Sequence, residues 1–392
     1  MNRAEAIHSH LSTASQAKPD TRPVLLCLSH LRWGFVYQRP QHIMSRMARD
    51  YDVLFFEEPV FADSPDSRLE ALLQPSGVTV LVPHLPRDLP PDQAVLAQRQ
   101  LLDHWLELLD HWLEQHPSHD LLLWYFTPMS LAFTDHLWPQ AIIYDCMDEL
   151  SAFKGAPPEL IDMEQDLLER ADVVFTGGHS LWEAKKERHS NVHSMPSSVD
   201  IEHFATARRG LSDPPDQQDI PGPRLGFFGV IDERFDIELI RQVASARPQW
   251  QIVLIGPVVK IDPGSLPQLP NIHYLGGKSY DDLPAYLSGW DVALMPFAIN
   301  ESTRFISPTK TPEYLAGGCP VVSTPITDVV STYGDSGVVT IAADAAQFCD
   351  AIERALGRGK SSEFYELADA VLADKSWDKT CAAMKEQIQC LK

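Results

Sequence analysis

The chain has 392 residues, 44% of them hydrophobic and 22% charged, which is enough for two globular domains with full cores. Its formal net charge of -22 at pH 7 argues against nucleic acid or a strongly anionic surface as a partner. No apolar run reaches the length that spans a bilayer, and the six cysteines lack CxxC or Cys/His spacing. We therefore expect a reducing, cytoplasmic setting and no metal site. Residues 1–20 are polar and predict a disordered tail rather than a signal peptide.

The first predicted elements form a βαβ unit. Val24 to His30 reads as a buried strand, QHIMSRMARDY as a helix with one apolar face, and DVLFFEEP as the next strand. Loops at the carboxyl edge of an open α/β sheet bind ligands, and many polar-tipped residues crowd the loop after the first strand. The candidates for lining a cleft are Arg32, Trp33, Gly34, Tyr37, Gln38, Arg39 and His42. The alternative is that the aromatic residues pack the loop and Arg39 pairs with a surface acid.

Two identical heptads, LLDHWLE, follow at residues 101–114 and predict an amphipathic helix that packs on the sheet. Two heptads are too few for a coiled coil, and His104 and His111 lie two turns apart, which excludes a shared metal ion. The later strand in AIIYDCMDEL ends in the carboxylates Asp145, Asp148 and Glu149, again at the ligand edge. Acids there can orient a substrate hydroxyl or take a proton, or they can cap the following helix.

The second half of the chain opens after a polar segment rich in Pro and Asp, residues 205–223, which is the best linker candidate. Its most informative stretch is FISPTKTPEYLAGGCPVVSTP, which predicts a short helix with Thr309 or Thr311 as N-cap, ended by Gly317 and Gly318 and followed by a buried strand. The start of such a helix favours phosphate, Lys310 adds a mobile positive charge, and Glu313 can accept from two hydroxyls. Together they suit a nucleoside diphosphate. The alternative is a solvated Lys310 and a Glu313 that only complements the helix start.

The segment EYLAGGCPVV resembles the C-terminal signature of retaining GT-B glycosyltransferases of the GT4-like group, the glycosyltransferase family 1 type. The RW-F-x-x-QRPQH loop resembles that of a bacterial polysaccharide-biosynthesis subgroup. The resemblance implies an α/β chain of two Rossmann-like, doubly wound domains that face each other across a cleft. The expected division is a tail at 1–20, an acceptor domain at 21–204, a linker at 205–223, a nucleotide-sugar domain at 224–375, and a helix at 376–392 that returns to the first domain.

The resemblance also assigns roles to residues of this chain. The donor would be bound by Gly229, Arg234, Gly276, Lys278, Ser279, Thr309, Lys310 and Glu313. The acceptor would be bound by Arg32, Trp33, Gly34, Tyr37, Gln38, Arg39, His42 and Glu149. The catalytic groups would be Asp148, Arg234 and Lys310. The chain departs from the family pattern at two positions: Val230 stands where a phosphate-binding Arg is usual, and Phe305 where a second glutamate is usual. We therefore expect Arg234 to take over with Lys310; the alternatives are a surface ion pair of Arg234 with Asp236 or Glu238, or a chain that has lost donor binding.

The expected reaction moves a sugar from a nucleoside diphosphate sugar to a saccharide or lipid-linked oligosaccharide, with retention and without a metal or cofactor. Peripheral contact with the inner membrane stays open, because net charge does not reveal a local basic or apolar patch. Two alternatives remain. A nucleotide-sugar epimerase of GT-B fold would consume donor without acceptor. A non-catalytic GT-B-like interaction subunit would bind a protein partner, with the tandem heptads as its docking surface.

Overall fold

A computed structural model of the chain describes residues 22–113 and 121–391, without the side chains of 109–113. The predicted tail at 1–20 and most side chains of the second heptad therefore lie outside the described residues. Within those residues, no helix is both long and apolar enough to cross a membrane.

The first half of the described chain forms a nine-stranded sheet in the order β3-β5-β2-β1-β6-β7-β8-β9, with β4 paired to β5. Only β4 runs antiparallel to its neighbour among these strands. The strands are β1 (Val24–Leu28), β2 (Asp52–Phe56), β3 (Val60–Ala62), β4 (Arg68–Leu73), β5 (Thr79–Pro86), β6 (Leu121–Tyr125), β7 (Ala141–Cys146), β8 (Val173–Thr176) and β9 (Val192–Ser194).

Helices cover both faces of this sheet, which explains why its central strands are nearly all apolar. Alternate side chains of β1 show the division: Leu25 belongs to the core on one face, and Leu26 to the core on the other. The helices of this half are α1 (Arg39–Met47), α2 (Pro91–Leu113), α3 (Leu131–Thr134), α4 (Leu160–Arg170), α5 (His179–Lys185) and α6 (Ile201–Ala205). The predicted βαβ unit consists of β1, α1 and β2. Its two strands pair in parallel, with Val24 opposite Asp52.

The second half forms a six-stranded parallel sheet in the order β12-β11-β10-β13-β14-β15 within the described residues. Its strands are β10 (Arg224–Phe228), β11 (Gln251–Ile255), β12 (Ile272–Gly276), β13 (Val292–Met295), β14 (Val321–Ser323) and β15 (Val339–Ile341). Its helices are α7 (Ile237–Ala246), α8 (Leu283–Ser288), α9 (Lys310–Ala316), α10 (Thr327–Tyr333), α11 (Ala345–Arg358) and α12 (Ser362–Leu372). The predicted fold class, an α/β chain with two doubly wound halves, is confirmed.

The last helix, α13 (Trp377–Gln389), returns to the first half of the chain, as predicted. Trp377, Met384 and Ile388 are buried in the same core cluster as Ile43 and Met44 of α1. Because α13 follows the second sheet in sequence but packs on the first, it ties the two halves together.

The segment predicted as a linker, 205–223, packs against the second half of the chain. Gln217 is fully buried and accepts a hydrogen bond from Trp290 Nε1 at 2.8 Å. The side-chain amide nitrogen of Gln217 donates to the carbonyl oxygen of Tyr286 at 3.0 Å. The residue boundaries predicted for the domains and the linker remain a proposal.

Candidate active site

A cleft of about 850 Å³ lies between the two halves of the molecule. Loops that follow β1 and β7 line it from the first half, and loops that follow β10, β11 and β12 line it from the second, together with the start of α9. The cleft therefore sits at the carboxyl ends of both parallel sheets, where ligands bind in folds of this kind. Among the predicted site residues it is lined by Trp33, Gly34, Tyr37, Gln38, Arg39, His42, Asp148, Gly229, Arg234, Lys278, Ser279, Thr309, Lys310 and Glu313.

Two glycine loops shape the wall of the second half. Gly229 follows β10 with φ +151, and Gly256 follows β11 with φ +142, both conformations that L side chains rarely adopt. A Cβ on Gly256 would lie 1.8 Å from the carbonyl oxygen of Gly229, so the two loops touch backbone to backbone. A Cβ on Gly229 would lie 2.1 Å from Lys310 Cε. Because Gly229 has no side chain, Lys310 can occupy the space that a Cβ would fill.

The helix that carries Lys310 forms as its sequence predicts. It begins at Lys310 and ends at Ala316, with Thr309 in the N-cap position and Gly317 in the C-cap position, although the Thr309 side chain makes no capping hydrogen bond. Gly318 then takes φ +77, and a Cβ there would meet Tyr365 at 2.6 Å. The chain turns without obstruction into β14, whose three residues are all buried.

Lys310 and Glu313 form a pair of interacting titratable groups on the cleft wall, in which Lys310 is half-buried and Glu313 is buried. Glu313 is 5% exposed. Burial raises the pKa of Glu313 to about 8, although the charge of Lys310 opposes the shift. Burial also lowers the pKa of Lys310, with Glu313 opposing that shift and Arg234 adding to it. Burial thus removes solvation from both charged forms, and a ligand that supplies charge or hydroxyl groups would stabilise them.

Arg234 lies next to this pair and is held by Asp232. Its Nε and one terminal nitrogen donate to the carboxylate of Asp232, the shortest contact being 2.7 Å. Burial opposes the charge of Arg234, but the hydrogen bonds with Asp232 and the charge of Asp148 outweigh it, so the pKa of Arg234 is raised. The guanidinium also lies 5.2 Å from the ring centre of Phe153, which belongs to the first half of the chain.

Asp148 faces these cations from the opposite side of the cleft. Burial raises the pKa of Asp148, while the charges of Arg234 and Lys310 lower it in part. The carboxyl of Asp148 is therefore within electrostatic reach of both cations. The structure brings the three residues predicted as catalytic into one region, although their roles stay predictions.

Arg39 lines the cleft, but its guanidinium is directed into the protein. Nε and Nη2 donate to Asp145 at 3.0 and 2.8 Å, and Nη1 donates to the carbonyl oxygen of Met195 at 2.7 Å. Both members of the Arg39–Asp145 pair are essentially unexposed, at 1% and 0%. The pair fixes the start of α1 on the end of β7, and it leaves Arg39 little capacity to bind an acceptor.

Two other predicted acceptor residues contact the second half of the chain. The Tyr37 ring lies 4.6 Å from that of Tyr280, and the His42 ring lies 5.3 Å from it. Tyr280 directly follows the loop that contains Lys278 and Ser279. In that loop Lys278 pairs with Asp216 at 2.6 Å, and Ser279 Oγ caps the turn that follows.

Three predicted site residues lie off the cleft wall. Arg32 donates to Glu58 at 2.9 Å and to the carbonyl oxygen of Pro59. Glu149 accepts from the buried Lys185 at 2.6 Å. Gly276 ends β12 with φ +70 and is exposed. Arg32 and Glu149 thus have protein partners, and all three residues lie outside the lining of the cleft, so their binding roles stay predictions.

Several cleft residues were not predicted as site residues. They include Asp200, His203, Gly256, Tyr280 and Ser307. Gly256 had a readable signal, because it ends the strand QIVLIG at a ligand edge. Asp200, His203 and Tyr280 had none, since their place in the cleft depends on contacts between distant segments.

Comparison with known proteins defines the class of this fold and site. Residues 222–358 match the family of Glycosyl transferases group 1, a range that begins just before β10 and ends with α11. It contains the Gly229 loop, Arg234, Lys310 and Glu313. The second half of the chain is therefore similar to group 1 glycosyl transferases, and the architecture of the two halves is the GT-B fold of the solved structures below.

Particular proteins resemble the chain over longer ranges. A Bacillus subtilis (strain 168) protein named as a teichuronic acid biosynthesis glycosyltransferase, TuaH, is 24% identical over 277 residues, 65% of this chain and 68% of the relative. Sucrose-phosphate synthase from Thermosynechococcus elongatus superposes with a TM-score of 0.65 at 16% identity, covering 94% of this chain and 99% of the other. An E. coli structure described as trehalose-6-phosphate bound with UDP-2-fluoro glucose gives 0.64 at 14% identity, covering 93% and 98%.

Proposed function

We propose that the protein transfers a glycosyl unit from a nucleoside diphosphate sugar to a hydroxyl of a saccharide or lipid-linked oligosaccharide, with retention at the anomeric carbon. The products are the glycosylated acceptor and the nucleoside diphosphate. The second half of the chain would bind the donor and the first half the acceptor. We further propose a role in bacterial cell-surface polysaccharide synthesis, which the name of the B. subtilis relative supports.

The observation that carries the proposal is the Lys310–Glu313 pair on the cleft wall. The two side chains interact through charge, and both are desolvated by burial. A diphosphate beside Lys310 would stabilise its ammonium group, and a ribose diol that donates hydrogen bonds to Glu313 would stabilise its ionised form and lower its pKa again. Gly229 leaves room for this arrangement, and UDP-2-fluoro glucose is the ligand named for the E. coli structure of the same fold.

Departure of the diphosphate requires stabilisation of its developing negative charge. Lys310 and Arg234 would provide it, as preorganised cations in a partly desolvated cleft. Arg234 is fixed by Asp232, so no reorganisation is needed at the moment of reaction. We propose that these two cations fill the role that a divalent ion has in other transferases, and that the reaction proceeds without metal.

Asp148 would act on the acceptor side of the reacting sugar. Its carboxyl faces the two cations from the first half of the chain, and burial raises its pKa. A carboxyl in this position can hydrogen-bond a sugar hydroxyl and orient the ring. Trp33, Gly34 and Gln38, which line the same side of the cleft, would contact the acceptor.

The first experiment is calorimetric titration of the protein with UDP, GDP, ADP and dTDP in the presence of EDTA. We expect one nucleotide to bind, and Lys310→Ala and Glu313→Ala to weaken it at least tenfold, the loss of one charge-assisted contact of about 1.5–3 kcal/mol. Matched controls are Lys360→Ala and Glu353→Ala, which remove the same charges from the same half of the chain but outside the cleft. Turnover of the matching nucleotide sugar, followed by NMR of the anomeric proton, then tests transfer and retention.

The outcomes separate the proposal from its alternatives. Binding of no nucleotide at millimolar concentration would favour the non-catalytic interaction subunit. Conversion of a nucleotide sugar without any acceptor, to a stereoisomer of the donor, would favour the epimerase. Loss of turnover in EDTA, with recovery on addition of a divalent ion, would contradict metal-independent transfer.

A further inference from the structure

His42 is a buried polar residue on the cleft wall whose hydrogen-bonding groups are unused. It is 2% exposed, and neither Nδ1 nor Nε2 has a hydrogen-bond partner among the described residues. A buried polar group left without a partner costs about 1–3 kcal/mol, so such groups are normally satisfied. His42 lines the cleft, and a ligand there can satisfy it.

The ring of His42 is fixed by aromatic neighbours rather than by polar ones. One face stacks on Trp377 of α13, with ring centres 4.7 Å apart and planes 12° apart. The rings of Tyr37 and Tyr280 approach at steep angles, at 4.7 and 5.3 Å. The orientation of the ring nitrogens is therefore set before any ligand arrives, which limits the entropy lost on binding.

The neutral imidazole offers one donor and one acceptor. Burial is the largest cause that lowers the pKa of His42, and the charges of Arg46 and His203 lower it further. A neutral ring with both a donor and an acceptor suits hydroxyl groups or the edge of a base, and is poorly suited to bind phosphate.

The position of His42 points to the donor rather than to the acceptor. Its neighbour Tyr280 comes from the second half of the chain and belongs to the segment that follows β12. Burial is the largest cause that raises the pKa of Tyr280, and the charge of Glu313 raises it further, so Tyr280 also lies within electrostatic reach of the residue that is proposed to bind the ribose.

Trp33, which is proposed to contact the acceptor, lies in the loop that precedes α1. It packs on Phe55 of β2 with ring centres 5.1 Å apart. Its backbone nitrogen donates to Glu57 at 2.8 Å. The loop after β1 thus starts over the first sheet, whereas its end at Tyr37 and the start of α1 at His42 contact the second half of the chain.

We propose that His42 contacts the nucleoside of the donor through its ring nitrogens, so that the donor is bound by both halves of the molecule. The inference rests on the proposed function, because it takes Glu313 as the ribose site. It replaces the acceptor role that the sequence predicted for His42. It also gives a reason for α13 to return to the first half, since Trp377 holds the ring that meets the nucleoside.

The test compares His42→Phe with the wild type. Phenylalanine keeps the stacking on Trp377 and removes both nitrogens. We expect the dissociation constant of the nucleoside diphosphate to rise about tenfold, the effect of one or two hydrogen bonds, while that of inorganic pyrophosphate changes less than twofold. His193→Phe is the matched control, because His193 on β9 bonds to Asn191 outside the cleft, and it should change neither constant.

Three results would overturn the inference. They are an unchanged affinity for the nucleotide, an equal loss for nucleotide and pyrophosphate, and an equal loss in the His193→Phe control. If the wild type binds no nucleotide at all, the proposed function fails first, so the two failures are distinguishable. Should His42→Phe not fold, wild-type protein with ¹⁵N-labelled histidine serves instead. The His42 ring signals should then shift on addition of the nucleotide and not of pyrophosphate, and the absence of such a difference would overturn the inference.

Discussion

Replacing Gly229 with alanine tests how the cleft positions its phosphate-binding cation. The added Cβ would lie 2.1 Å from Lys310 Cε, whereas ordinary contact begins at 3.4 Å, so the end of that side chain must move by 1.3 Å or more. The φ of +151 at this position adds backbone strain on the order of 1–3 kcal/mol. Because Lys310 is flexible at its end, it should swing away rather than unfold the loop.

We expect Gly229→Ala to weaken nucleotide binding directly, in addition to any loss of folding stability. Moving the ammonium group removes a charge-assisted hydrogen bond of about 1.5–3 kcal/mol, which is roughly a 10- to 100-fold rise in the dissociation constant. Calorimetric titration with the nucleotide that the wild type binds measures this directly. The thermal midpoint of unfolding, measured on the same sample, reports the strain separately.

Gly277→Ala is the matched control. Gly277 lines the same cleft, but a Cβ there would meet nothing within 4 Å and the backbone has no positive φ, so affinity should change less than twofold, about 0.4 kcal/mol. In a Lys310→Ala background, Gly229→Ala should cost no further affinity, because the group it displaces is already gone. If Gly229→Ala binds as the control does, or weakens binding equally without Lys310, the reasoning is wrong.

Two further predictions concern buried charge. Arg39→Met would leave Asp145 buried without its cation and should lower the free energy of unfolding by about 3–5 kcal/mol in urea denaturation; Asp145→Leu in the same chain should recover most of it, and equal costs for single and double variants would contradict this. For Glu313, the pKa is about 8 in the folded protein against 4.5 for the free side chain, so the folded state holds this proton more tightly than the unfolded state does. The proton's contribution to the free energy of unfolding is complete below pH 4.5 and is lost as the pH rises to about 8. Relative to Glu313→Gln, the wild type should lose on the order of 5 kcal/mol over this interval, at about 1.4 kcal/mol per pH unit, and parallel pH profiles would refute it.

The sequence by itself determined the features that depend on neighbouring residues. The helix α9 ends before Gly317 and Gly318 as predicted, because a left-handed turn, which Gly318 takes here, is a local preference of glycine. The buried strands were predicted because both faces of a parallel sheet are covered, which leaves an uninterrupted apolar run in the sequence. The loops after strands could be assigned to one ligand edge because the carboxyl ends of parallel strands lie at the same edge of a sheet. Most of the predicted site residues do line one cleft.

The tertiary structure alone decided which partner each polar side chain has. Arg39 was predicted to face an acceptor, but its partner Asp145 is 106 residues away in sequence. Glu149 was predicted to lie at the ligand edge, but it is bonded to Lys185, which comes from a later helix. Tyr280 had no signal at all, and it meets His42 only because the two halves of the chain close on each other. Charges and hydrogen bonds act over a few ångströms in space, and a single sequence does not specify which distant residues reach that distance.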